Sequence, residues 1–252
     1  MEKNTKKATL LLLVQLFFAL LAGFFKEPTV ATLCLYLGFL LPLLSVRPRL
    51  FPKDIKGGAP LLLLFPLFLF INALSSLATG WVFTALSLPQ NPVLPNPSIP
   101  LALLFDVFLA ALCEEIFCRG ILYKLFRPLG AGSAILATAI AFSMMHANPY
   151  QLFYALLAGL FLGFVREASG SFLLPLLFHL GNNLVSLLVG KVDPLIFLCA
   201  TLVLSAVCLF FFLRKHASLL PKWGELRPKN LKSLFTPPFI LYLLLMLTLT
   251  LL

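Results

Sequence analysis

Charge is what this sequence has least of. Only 11% of its 252 residues are Asp, Glu, Lys or Arg, against 61% apolar side chains. A soluble domain could not hide that much hydrocarbon, because its surface would be apolar too. Strict strand-like alternation is missing as well. The apolar residues come in long uniform Leu/Phe runs, which excludes a membrane β-barrel. The five cysteines (Cys34, Cys113, Cys118, Cys199, Cys208) have no C-x-x-C spacing and fall inside apolar stretches, so they read as small hydrophobes rather than a disulfide framework. No Ala-x-Ala site closes the first apolar run, which is also too long for a secretion signal and reads as an uncleaved span. No internal repeat is apparent.

What is there is a series of runs of about 20 apolar residues, each long enough to cross a hydrocarbon core of roughly 30 Å as a helix. The expected fold is all-α: a polytopic transmembrane helical bundle in one integral membrane domain, 1–252. Eight spans are predicted at about 8–25, 29–46, 59–88, 101–126, 130–147, 150–165, 170–190 and 194–213. A ninth stretch, 238–252, is either a short last span or an interfacial helix. The linker "SLPQNPVLPNPSIP" (87–100) has five prolines and no charge, so an irregular connection is expected. Placing the N-terminus in the cytoplasm puts every one of the 19 basic residues except Lys26 and Lys191 on the inner side. The net charge of +10 is therefore a topology signal with some attraction to anionic lipid, and nucleic-acid binding is not expected.

Ionisable groups within spans cost about 2.5–3.5 kcal/mol each at a helix centre and need a reason. Here they are Asp106, Glu114, Glu115, Arg119, His146 and His179, with Asn182 and Asn183 beside the last. In "LCEEIFCRG" (112–120), Glu115 and Arg119 are four apart and stack on one helix face in the favourable acid-first order. Glu114 points about 100° away and cannot share that arginine well. An unpaired carboxylate in apolar surroundings holds its proton more tightly, which suits a general base near neutral pH. The bland alternative is an ordinary Glu–Arg pair, with Glu114 reaching toward water. In "FSMMH" the Phe142 ring packs beside His146 one turn on and limits its rotation. In "HLGNN", Asn183 lies one turn after His179, and Gly181 allows a backbone or substrate to come close. Singly, each reads equally as a structural polar or as helix–helix glue. In order, on three separate spans, they point to one shared site.

The three motifs, E-E-x-x-x-R, F-x-x-x-H and H-x-x-x-N, resemble those of the CAAX protease and bacteriocin-processing (CPBP, or Abi) family over about 101–190. The resemblance implies an intramembrane endopeptidase. Glu114 and His146 would activate water, His179 and Asn183 would stabilise the oxyanion, and Glu115, Arg119 and Phe142 would support the site. Glu114, His146 and His179 with a water would also make a workable zinc site. No H-E-x-x-H helix favours one, and the family's chemistry is argued both ways. The implied partners are membrane lipid and a membrane-associated peptide or protein, and the compact chain looks like bacterial, inner-membrane relatives. A proton- or cation-coupled transporter, a bis-histidine haem protein and a non-catalytic immunity or scaffold relative are the rival readings. Two points stay open at this level. Asp106 has no role, and simple span counting puts His146 nearer the outer face than Glu114 and His179.

Overall fold

A computed structural model describes residues 2–48, 57–88, 98–189 and 192–251, the Leu251 side chain excepted. Most of the proline-rich linker, with Arg49, Lys53, Lys56 and Lys191, lies outside the described residues. The chain is an all-α, polytopic membrane bundle, and there is no strand among the described residues. Its helices are α1 (Glu2–Ala22), α2 (Pro28–Leu40), α3 (Gly58–Ala85), α4 (residues 99–126), α5 (Ala131–Met144), α6 (Pro149–Ser169), α7 (Leu173–Val189) and α8 (Pro194–His216). Two single turns, α9 (Trp223–Leu226) and α10 (Leu231–Leu234), then lead to α11 (Pro237–Leu251).

These boundaries fall close to the apolar runs, and the local chemistry explains why. Three helices begin at a capping residue followed by proline. The Glu27 carboxylate accepts from Val30 N at 2.6 Å, Asn148 Oδ1 from Tyr150 N at 2.9 Å, and Asp193 Oδ1 from Leu195 N at 2.9 Å. Each cap satisfies an orphan donor of the first turn, and the proline at the first helical position has no N–H to lose. Helix α6 stops at Gly170, whose φ of +68° makes the left-handed cap that glycine adopts without steric cost.

By length and composition α1, α3, α6 and the Pro194–Leu219 segment are each able to span a membrane, and the pair Trp223–Leu234 and Pro237–Thr250, bent by 93°, could together make a fifth. Helices α2, α5 and α7 are shorter apolar segments. The outer face of α8 exposes Ile196, Val203 and Phe210, all more than half accessible, which suits lipid rather than water.

Helix α4 is not uniform. Its α-helical turn Ala110–Glu115 is flanked by π-helical stretches at Leu103–Leu109 and Ile116–Leu122. Such stretches shift the backbone out of the ordinary hydrogen-bond ladder and recur at functional sites. Here Phe105 O accepts from Tyr36 Oη at 2.8 Å, and Asp106 O accepts from Asn183 Nδ2 at 3.1 Å.

Close crossings set the helix spacing. A Cβ on Gly159 of α6 would lie 2.9 Å from Ala139 Cα of α5, so only glycine lets these backbones meet. Phe65 and Phe68 of α3, Phe161 of α6 and Phe178 of α7 form an aromatic cluster, with neighbouring ring centroids 5.2–6.1 Å apart. Gly181 makes room for the Phe65 ring, whose Cζ would lie 2.6 Å from an added Cβ. The neighbour is thus a side chain, where the sequence suggested a backbone or a substrate.

The basic segment after α8 is clamped to the first turn of α5. Lys229 N donates to Ser133 Oγ at 2.8 Å, and a Cβ on Gly132 would lie 2.0 Å from Leu226 O. Because the obstacle is backbone, Gly132→Ala should force this segment off α5. Limited trypsinolysis after Lys229 and Lys232 should then run several-fold faster than in the wild-type protein. Equal rates would show that the clamp does not hold the segment.

Candidate active site

The three polar motifs reach one cavity of about 880 Å³, lined by Asp106, Glu114, Phe142, His146, His179, Asn182 and Asn183. Its remaining wall comes from α3, α6, the C-terminal part of α7 and the start of α8, including Trp81, Tyr150 and Tyr154.

The centre of the arrangement is an ion pair. Arg119 Nη1 donates to Glu115 Oε1 at 2.8 Å, and neither side chain has any accessible surface. Arg119 Nη2 reaches across to the carbonyl of Gly159 on α6, at 3.0 Å. Its guanidinium carbon lies 4.7 Å from the centroid of the Phe142 ring on α5, within range of a cation–π contact. His179 of α7 completes the set, with Nδ1 donating to Glu115 Oε1 at 3.0 Å. One carboxylate and its arginine therefore bind α4, α5, α6 and α7 together.

Phe142 lies between the histidines. Its ring centroid is 5.0 Å from that of His146 and 5.6 Å from that of His179, both edge to face. His146 Nδ1 lies 2.8 Å from Phe142 O. A carbonyl only accepts, so Nδ1 carries the proton and the neutral ring keeps its lone pair on Nε2. The same reasoning assigns the Nδ1 proton of His179, which faces the Glu115 carboxylate.

His146 lies beyond the end of α5 rather than inside a span, in a turn where Ala147 adopts φ +44°. A left-handed alanine costs roughly 1–2 kcal/mol. That turn ends α5, feeds the Asn148 cap of α6 and sets His146 on the cavity wall. The depth mismatch left by counting spans disappears because α5 is shorter than the apolar run.

Glu114 stands apart from the ion pair, as its helix position requires. Its side chain is 19% exposed, and Oε2 is 3.8 Å from His179 Nε2. That gap is too long for a hydrogen bond and fits a bridging water. Glu114 therefore faces the imidazole of His179, where the sequence grouped it with His146. Asn183 Nδ2 is partly engaged by Asp106 O, and Asn182 Nδ2 is 3.5 Å from Asn183 Oδ1.

Among the described residues, no group of three or more His, Cys, Asp or Glu side chains is placed to hold a metal ion. Glu114, His146 and His179 share the cavity without converging as a ligand set. The zinc arrangement considered from the sequence is not assembled in this conformation.

Residues 96–185 match the family model described as "Type II CAAX prenyl endopeptidase Rce1-like". The segment that carries the site is thus similar to that family. All the motif residues fall inside this Rce1-like segment. Over 123 residues the chain is also 34% identical to an Escherichia coli protein described as "Uncharacterized 24.3 kDa protein". That alignment covers 42% of this chain and 55% of the relative, so the chain spans about half the length of that protein. No solved structure matches.

Sequence reasoning missed Gly159 and Tyr36. Gly159 and Gly163 stand four apart in "GLFLG", the small-residue spacing of close membrane crossings, and that signal could have been used. Tyr36 carries no comparable mark.

Removing one partner of a buried ion pair strands the other, at a cost of about 3–5 kcal/mol. Arg119→Ala should therefore melt far below wild type in detergent, or fail to fold, while Glu114→Gln melts close to wild type. Arg119→Ala melting unchanged would sink this account of the pair.

Proposed function

We propose that the protein is an intramembrane endopeptidase that hydrolyses a peptide bond of a membrane-associated peptide or protein, with its catalytic core within about 101–190. The observation that carries this reading is Glu114 Oε2 facing His179 Nε2 across 3.8 Å at the wall of a large cavity. The Rce1-like match over the same residues supports it.

In this reading Glu114 takes a proton from the attacking water, helped by His146 through Nε2. The new hydroxide oxygen bonds to the scissile carbonyl carbon, and the carbonyl π electrons move onto its oxygen. Glu114 then returns the proton to the departing amine. His179 and Asn183 supply donors to the oxyanion. His179 donates from Nε2 in its doubly protonated form, having taken that proton from solvent before the attack, while its Nδ1–H stays on Glu115 Oε1. The second Nδ2 proton of Asn183 is the other donor. Removing one such donor typically lowers turnover by about 10²–10³-fold. Glu115, Arg119 and Phe142 position these groups without touching substrate. The host membrane in this proposal is the bacterial inner membrane, with lipid as the surrounding partner.

The test compares membrane peptidomes of cells carrying wild-type protein or Glu114→Gln at matched expression. New peptide termini in the wild type that vanish with the substitution are the expected result, with His179→Ala and Asn183→Ala reducing them. Identical peptidomes from two folded proteins would overturn the endopeptidase reading, and ion flux through the purified protein would then test a transporter.

A further inference from the structure

The mechanism leaves one ionisable group of the cavity unused. Asp106 lies in the first π-helical stretch of α4 and lines the same cavity as Glu114. Its carboxylate makes no hydrogen bond or ion pair among the described residues. Only its backbone oxygen is engaged, by Asn183. Asp106 is itself exposed, and Leu103, Leu104 and Phe108 around it are exposed and apolar, so its carboxylate sits among apolar neighbours. An acid kept in such a place without a partner is costly, and such residues mark substrate or ion paths.

The rest of the lining says what would neutralise it. Among the described residues, the charged lining side chains other than histidine are Asp106 and Glu114, with no lysine or arginine. Arg119 is fully buried behind the wall, bound through Nη1 to Glu115 and Nη2 to Gly159 O and packed on Phe142, and is not among the lining residues. Among the described lining residues, a substrate carboxylate would meet two acids and no fixed cation. A substrate ammonium or guanidinium would meet Asp106, with the aromatic rings of Trp81 and Tyr150 on the same cavity wall.

From these observations, and resting on the endopeptidase reading above, we infer that Asp106 is a specificity-determining residue that receives a lysine or arginine side chain of the substrate. Eight residues separate Asp106 from Glu114, about 12 Å along the helix axis. An extended peptide covers that distance in about three or four residues. The basic residue therefore lies within about four residues of the cleaved bond. The backbone bond to Asn183 is independent of the Asp106 side chain, so changing the acid leaves that anchor in place.

The experiment has two arms. In the first, cleavage sites are read from the membrane peptidomes of wild type, Asp106→Asn and Asp106→Arg, each corrected with Glu114→Gln in the same background. Wild-type sites should be enriched in Lys or Arg within four residues of the cut. Asp106→Asn should lose that enrichment, and Asp106→Arg should shift it toward Asp or Glu. Enrichment absent from the wild type, or unchanged in Asp106→Asn, overturns the proposal while leaving the endopeptidase reading intact. The second arm measures binding, without turnover, of an apolar model peptide carrying one lysine to Glu114→Gln protein in nanodiscs. The same peptide with glutamate in place of the lysine serves as the comparison. A preference for lysine of at least ten-fold that disappears with Asp106→Asn supports the proposal even if no proteolysis is found. Equal binding of the two peptides overturns it.

Discussion

The buried pair of Glu115 and Arg119 is the constraint on which the site hangs. Two opposite charges without water contact are stable only if their mutual attraction is joined by further hydrogen bonds. Here hydrogen bonds come from the Gly159 carbonyl and the His179 imidazole, and the Phe142 ring of a third helix adds a cation–π contact. The ion pair can persist only while α4, α5, α6 and α7 keep their places. Conversely, the positions of both histidines follow from it. His179 is held directly, and His146 through the ring of Phe142, which also carries the arginine.

Such an arrangement needs backbones that come unusually close. Arg119 reaches Gly159 O because α6 crosses α5 at a glycine, where any side chain would strike Ala139. Lipid-exposed helices gain little from burying apolar surface against one another, so small residues and interhelical hydrogen bonds take over the role that water-driven burial plays elsewhere. The aromatic cluster of Phe65, Phe68, Phe161 and Phe178 fills the space between α3, α6 and α7, next to the cavity rather than inside the ion-pair core.

The two neighbouring glutamates divide the labour by geometry alone. Glu115 is enclosed and bound on one oxygen by two donors, which suits a fixed anchor. Glu114 borders the cavity and, among the described residues, has no side-chain partner at hydrogen-bond distance, which leaves it free to meet water. Local irregularities serve the same end. The π-helical stretch before them carries the carbonyls of Phe105 and Asp106 that also accept from Tyr36 and Asn183, and the left-handed turn at Ala147 places His146 at the cavity wall.

Much of this could be read from the chain itself. Long apolar runs fix helix positions because a hydrocarbon core accepts only internally bonded backbone. The caps before Pro28, Pro149 and Pro194 fix three helix starts. The separation of Glu114 from the Glu115–Arg119 pair follows from the pitch of one helix. What lay beyond the sequence involves contacts between helices. Glu115 binding His179 across 64 positions, Gly159 accepting from Arg119, and Glu114 facing His179 rather than His146 all depend on how helices cross. Periodicity within one helix says which residues share a face, but carries no information about which other helix that face meets. The end of α5 before His146 belongs to the same class, since an apolar run does not register where a turn takes the backbone out of the helix. Tertiary packing alone decided that Asp106 would line the cavity with no side-chain partner among the described residues.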